Sequence, residues 1–228
     1  NELYNHFNGP SEPKVISIHD PGWVKNSINQ NLYDESFWKR YQEYLIGDDP
    51  SFPTPSLNKS TSKILNYLED PNKKGAWCRK GMVVGHVQSG KTANYIGVIN
   101  KALGHGYKLI IVLTGMLDSL RIQTQERIDY GVIGQMSAAS ADFKRGDSVG
   151  VGIIEQIVPQ RKIISFTSIN PSKEGGDFKS NKAPNMSNSL NDNDAYILTV
   201  KKNKSPLGEI ITWLNSLKGD KKELVKNI

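Results

Sequence analysis

The chain has 228 residues, of which 37% are hydrophobic, and a formal net charge of +6. This length suits one sizeable core with a smaller attachment, and no apolar run approaches the roughly 20 residues of a membrane-spanning helix. The single cysteine, Cys78, excludes an internal disulfide framework. Since residues 1–10 also lack the pattern of a signal peptide, we expect a cytoplasmic protein with no membrane partner.

The N-terminal third predicts two helices after an irregular lead-in over residues 1–21. Aromatic and apolar residues recur at helical spacing in the first helix, and Ser60 or Thr61 is the predicted cap of the second, after a proline-broken stretch over residues 48–55. We assign residues 1–75 to a helical N-terminal extension. The apolar faces consist of Phe37, Trp38, Tyr41 and Leu45 in the first helix, and Ile64, Leu65 and Leu68 in the second.

From residue 76 onward, strand and helix patterns alternate. Residues 82–84 predict a short strand, 93–103 a helix, 108–113 a buried parallel strand and 117–128 another helix. Further strands are predicted at 163–166 and 196–200, followed by a helix with Pro206 in its first turn. Residues 170–194 have almost no large apolar side chain and predict a mobile loop. This order predicts a three-layer α/β fold with a parallel sheet.

One motif carries chemistry, the segment from Gly85 to Thr92. Its two glycines, lysine and threonine have the spacing of a phosphate-binding loop (Walker A motif). Glycines let the backbone wrap around a polyphosphate, the lysine adds positive charge, and the threonine hydroxyl is a ligand for Mg²⁺. The following helix directs its positive end to the same place. We therefore predict ATP and Mg²⁺ binding through Gly85, Gln88, Ser89, Gly90, Lys91 and Thr92.

Other site chemistries find little support in the sequence. The four histidines have no zinc-ligand spacing among themselves or with Cys78, and no Gly-x-Ser-x-Gly nucleophile motif is present. Nuclease chemistry is not visible. Basic residues concentrate near the C-terminal end, where either a solvated face or a surface that contacts phosphates explains them.

Three segments resemble the N-terminal region of the Z-one domain family: Gly81-Met-Val-Val-Gly-His-Val-Gln-Ser-Gly-Lys-Thr, Gly106-Tyr-Lys-Leu-Ile-Ile-Val-Leu-Thr-Gly, and Leu120-Arg-Ile-Gln-Thr-Gln-Glu-Arg-Ile-Asp. Members are large bacterial proteins, often described as endonucleases, with a superfamily-two helicase-like ATPase core linked to restriction and anti-phage defence. The resemblance implies a RecA-like domain at 76–228, DNA as partner, and other defence-system proteins as further partners. It also implies nucleic-acid contacts at Thr114, Arg121 and Gln125, and at Lys201 and Lys202.

The sequence departs from the family pattern in one respect. The acidic motif that holds the Mg²⁺-bound water should follow a strand after the last helix, and residues 223–228 are where such a strand would begin. We therefore expect a domain truncated before its acidic motif, with catalytic residues unknown, poor nucleotide binding and negligible hydrolysis. Two alternatives stay open: a nucleotide-regulated interaction module of a defence complex, and a small P-loop kinase.

Overall fold

The computed structural model describes residues 22–75, 77–84, 90–182 and 193–216. Within these ranges, no helix is both long and apolar enough to cross a membrane. The helices are α1 (Trp23–Asn29), α2 (Ser36–Asp48), α3 (Thr54–Asn66), α4 (Lys91–Gly104), α5 (Asp118–Ile128) and α6 (Lys204–Ser216), and the strands are β1 (Leu109–Thr114), β2 (Ile163–Ser165) and β3 (Ala195–Lys201). A π-helical turn (Asp129–Ile133) continues α5, and short 3₁₀ turns lie at Gly150–Ile153, Ser172–Glu174 and Ser180–Lys182.

The three described strands form a parallel sheet in the order β1-β3-β2. Alternate side chains of β3 enter two different hydrophobic clusters, with Ile197 in one and Leu198 in the other. Such alternation follows from the two-residue period of a strand, and it requires cover on both faces of the sheet. The predicted α/β class with a parallel sheet is therefore confirmed at this level.

The first face of the sheet packs against α2, α4 and the turn after α5. Phe37, Trp38 and Tyr41 of α2 are at most 5% exposed and lie in one cluster with residues of α4 and β3. The aromatic stripe of the sequence is thus core. Helix α3 starts earlier than predicted, because Pro55 is accommodated in its first turn, where a missing N–H is not needed. Thr61 is consequently not a cap but a buried interior residue, and its hydroxyl donates to the Leu57 carbonyl.

The second face is covered by α6 and by part of the segment predicted as a mobile loop. Phe178 is only 2% exposed and packs against Trp213 of α6, with ring centroids 5.4 Å apart. Up to Lys182 the segment is irregular apart from two 3₁₀ turns, as predicted, but it is packed against the sheet, because one aromatic side chain in a polar segment anchors it there. Residues 183–192 of that predicted loop lie outside the described residues.

The run before the phosphate-binding motif is not the predicted strand. Met82, Val83 and Val84 are 87%, 58% and 82% exposed and have no strand assignment. A strand needs neighbours for its backbone N–H and C=O groups, and the three described strands pair only with one another. The apolar run is accordingly left in solvent among the described residues.

Candidate functional site

The described end of the phosphate-binding motif is Gly90-Lys91-Thr92, which opens helix α4. Gly90 has φ 71° and ψ 23°, a left-handed conformation that a residue with a side chain rarely adopts. Its carbonyl accepts the first helical hydrogen bond, from the Asn94 N–H at 3.0 Å. The amides of the first turn thus point outward at the positive end of a helix of 14 residues. The rest of the predicted cradle, residues 85–89 with Gly85, Gln88 and Ser89, lies outside the described residues.

Thr92 faces an arginine that the motif does not contain. Arg127 Nη1 of α5 donates a hydrogen bond to Thr92 Oγ1 at 3.2 Å, and the Arg127 side chain is exposed. Arg127 falls in a segment that resembles the Z-one domain family, but the sequence predicted no site role for it. Its place beside the motif depends on how α5 packs against α4, for which the spacing of 35 residues contains no signal.

A cleft of about 570 Å³ opens at the start of α4, between α2 and α5. Apolar and aromatic side chains form its floor and walls, and its rim is polar. Tyr41 is held in place by its buried ring and by a hydrogen bond from its hydroxyl to the Ala93 carbonyl at 3.4 Å. The residues around the cleft are Tyr41, Tyr44, Leu45, Gly90, Thr92, Ala93, Ile96, Gln123, Glu126, Arg127, Tyr130 and Gly131.

Two more tyrosines of the cleft, Tyr44 and Tyr130, are half-buried. Burial raises the pKa of both hydroxyls, and nearby carboxylates, Asp48 at Tyr44 and Glu126 at Tyr130, add to the effect. Both rings therefore stay neutral at physiological pH. A neutral tyrosine offers an aromatic face for stacking and a hydroxyl for hydrogen bonding.

The cleft contains oxygen atoms of the kind that Mg²⁺ prefers. Thr92 offers a hydroxyl and Glu126 a carboxylate on the same rim. One hydroxyl beside a polyphosphate is enough from the protein, because Mg²⁺ bound to nucleotides keeps several waters and takes phosphate oxygens as ligands. Thr92 fits that role once Arg127, whose guanidinium donates to the same oxygen here, is drawn away by the phosphates. Within the described ranges, no group of three or more His, Cys, Asp and Glu side chains could hold a metal ion on its own.

Three of the predicted nucleic-acid residues lie at the carboxyl ends of β1 and β3, and the other two lie on α5. Thr114 ends β1 and Lys201 ends β3, while Lys202 follows directly and is exposed. The Lys202 N–H donates to the Thr114 carbonyl at 3.3 Å, so the structure brings these ends together. Lys201 Nζ lies 3.7 Å from carboxylate oxygens of both Asp118 and Asp177.

Two of the residues predicted to contact nucleic acid, Arg121 and Gln125, lie inside the protein and not on its surface. Both side chains are 0% exposed. Arg121 donates to Asp118 Oδ1 at 3.0 Å and to the carbonyls of Ser168, Asn170 and Gly176, so its guanidinium is fully engaged inside the protein. The face of α5 that packs inward thus holds Arg121 and Gln125 beside the apolar Ile128, whereas Leu120 on the same helix and Leu117 just before it are 44% and 65% exposed.

A buried polar network that the sequence did not indicate surrounds Gln125. Its amide donates to Asp129 Oδ1 at 2.8 Å and accepts from the Thr167 hydroxyl at 2.6 Å. Asp129 also accepts hydrogen bonds from the Ser137 N–H and hydroxyl. Burial raises the pKa of Asp129 from 3.8 to about 6, and the hydrogen bonds from Ser137 and Gln125 offset only part of that effect. This network fixes the turn after α5, and thereby the wall of the cleft that Tyr130 forms.

Comparison of the chain with family models, with curated proteins and with solved structures gives no match in any of the three. The resemblance of the sequence to the Z-one domain family therefore stays a hypothesis.

Proposed function

We propose that this chain binds ATP with Mg²⁺ at the segment from Gly85 to Thr92. We propose that this site belongs to the first motor domain of a RecA-like, superfamily-two helicase-like ATPase that acts on DNA. We further propose a cytoplasmic protein of a bacterial restriction or anti-phage system, in which nucleotide binding drives movement along DNA or its remodelling.

The single observation that supports this proposal most is the left-handed Gly90 directly before the Lys91-Thr92 start of α4, at the mouth of a cleft. A glycine turn that leads into a helix start, followed by a lysine and a hydroxyl residue, is the arrangement that phosphate binding requires. The absence of a strand at residues 82–84 weakens the analogy with a complete P-loop domain. The proposal therefore rests on the end of the loop and on α4.

The exposed run of Met82, Val83 and Val84 favours a second candidate function. Three consecutive exposed apolar side chains are a feature of surfaces that contact other proteins. A nucleotide-regulated interaction module would use this run for a defence-system partner, and it would bind ATP without a turnover cycle. Steady ATP hydrolysis by the full-length protein, stimulated by DNA, would favour the motor over the module.

Calorimetric titration of Mg-ATP into the chain and into Lys91→Ala tests the phosphate site. We expect the variant to bind at least roughly tenfold more weakly, because a hydrogen-bonded charge is lost from the polyphosphate. Lys25→Ala is the matched control, since it removes an equal charge from an exposed position on α1. Equal affinities of Lys91→Ala and the unchanged chain would contradict the proposal.

A second measurement addresses hydrolysis by the same purified chain. One lysine and one hydroxyl do not supply the metal placement and charge stabilisation that phosphoryl transfer needs. We therefore expect phosphate release indistinguishable from that of the Lys91→Ala variant. Turnover that is abolished by Lys91→Ala would show that this chain already contains its catalytic acid.

A further inference from the structure

We infer that the tyrosine-lined cleft at the start of α4 binds the base and sugar of the nucleotide whose phosphates the motif holds. This inference rests on the proposed function, and it adds a nucleoside subsite that the motif itself does not contain. Gly90 and Thr92 belong both to the end of the motif and to the cleft, so the two sites are continuous.

The size and lining of the cleft fit a nucleoside. Its volume of about 570 Å³ lies within the range of roughly 300 to 1,000 Å³ that small-molecule pockets have. Ala93 and Ile96 of α4 contribute apolar surface, and Tyr44 and Tyr130 contribute aromatic rings from two different elements. Aromatic faces are the usual partners of nucleobases, because every base has a π face that stacks on them.

The rings are held in place before any ligand arrives. Tyr41 lies between Trp38 and Tyr44, with ring centroids 6.1 Å and 6.4 Å away, and its hydroxyl is tied to the backbone of α4. Tyr130 has a T-shaped contact with Phe143, with centroids 6.5 Å apart. A ligand that stacks here does not have to order flexible side chains, which reduces the entropic cost of binding.

The rim distinguishes a nucleoside from a purely apolar ligand. Gln123 offers an amide with donors and an acceptor, Glu126 offers a carboxylate, and Arg127 offers donors beside Thr92. Base edges and ribose hydroxyls present the complementary groups. Arg127 is also the one of these side chains that contacts Thr92, so it stands where base-binding and phosphate-binding parts of the site meet.

Titration of two ligands separates the nucleoside subsite from the phosphate site. Mg-ATP contains both parts of the nucleotide, and Mg-tripolyphosphate contains only the phosphates. We expect the chain to bind ATP more tightly than tripolyphosphate, and Tyr44→Ala to weaken ATP binding by roughly tenfold, as the loss of one stacking partner does, with tripolyphosphate binding unchanged. Tyr44→Phe keeps the ring and should retain ATP binding.

Further variants keep each outcome interpretable. Tyr130→Ala removes a ring from another element and should act like Tyr44→Ala, which covers the case in which one of the two variants fails to fold. Tyr67→Ala, at the end of α3 and outside the cleft, is the matched control and should bind both ligands normally. Thermal unfolding of every variant confirms that it is folded.

The outcomes distinguish the two proposals. ATP binding that is unchanged in folded Tyr44→Ala and Tyr130→Ala overturns the nucleoside subsite, even if Lys91→Ala still weakens both ligands and so supports the phosphate site. An ATP affinity equal to that of tripolyphosphate overturns it as well. Binding of neither ligand by the unchanged chain overturns the proposed function together with the subsite.

Discussion

Arg121 and Arg127 lie six positions apart on the same helix, α5, in opposite environments. Arg127 is exposed on the rim of the cleft and donates a hydrogen bond to the Thr92 hydroxyl. Arg121 is completely buried and donates to a carboxylate and three carbonyls. One arginine is thus available to a ligand and the other holds the fold together. Residue type and helical spacing predicted neither role, because burial is decided by the elements that pack against each face.

The largest expected effect is on stability, at Arg121. Arg121→Ala leaves Asp118 and the carbonyls of Ser168, Asn170 and Gly176 without their donor, and we expect a loss of about 3–5 kcal/mol in the free energy of unfolding. Arg127→Ala on the rim should cost about 1 kcal/mol or less. Urea unfolding followed by circular dichroism measures both. A stable Arg121→Ala variant with impaired DNA binding would contradict this prediction, because Arg121 would then serve a ligand and not the fold.

The sequence predicted the regular elements well and their faces less well. The β-branched run of β1, the aromatic stripe of α2 and the strand at 196–200 follow directly from the residue pattern, and the structure confirms them. The inward face of α5 could not be predicted. Arg121 is buried because it donates to backbone carbonyls, and Leu120 beside it is left exposed. Those carbonyls belong to a segment about 50 residues further along the chain.

The candidate site also has a part that the sequence predicted and a part that it did not. The motif residues from Gly90 to Thr92 were predicted because phosphate chemistry imposes their spacing. The cleft beside them was not predicted, since Tyr44 and Tyr130 come from separate elements that only packing brings together. Tyr41, on the predicted apolar face of α2, lies in the core, and the same helix also lines the cleft. A sequence pattern does not separate these two uses.

The next effect concerns two buried titratable groups with opposite linkage to pH. The pKa of Asp129 is raised by burial to about 6, so its contribution to stability is full below its ordinary value of 3.8 and is lost as the pH rises through 6. The pKa of His105 is lowered to about 4 by burial and by nearby Lys101, so its contribution is present above 6.5 and is lost as the pH falls towards 4.

Single substitutions should separate these two contributions. Between pH 6.5 and 4, Asp129→Asn should lose about 2–3 kcal/mol more stability on acidification than the unchanged chain, and His105→Gln should lose about 2–3 kcal/mol less. Urea unfolding at half-unit pH steps gives the pH dependence of the free energy of unfolding for each variant. Subtracting the values of the unchanged chain removes the contribution of the other titratable groups, which both chains share. Curves parallel to that of the unchanged chain would show that neither group changes its protonation on folding.

The smallest expected effect is on nucleic-acid binding at the ends of β1 and β3. Here too, one basic side chain is paired within the protein and its neighbour is exposed. Lys202 is exposed, whereas Lys201 lies within ion-pair distance of Asp118 and Asp177. If DNA binds this edge, Lys202→Ala should weaken duplex binding a few-fold and reduce the salt slope by about 0.9, the value for one phosphate contact. Lys201→Ala is the matched control and should leave the slope unchanged, because its charge is already neutralised by the two carboxylates. Equal salt slopes for both variants, measured by fluorescence anisotropy, would mean that this edge does not distinguish the two lysines and that the basic residues here form a solvated face.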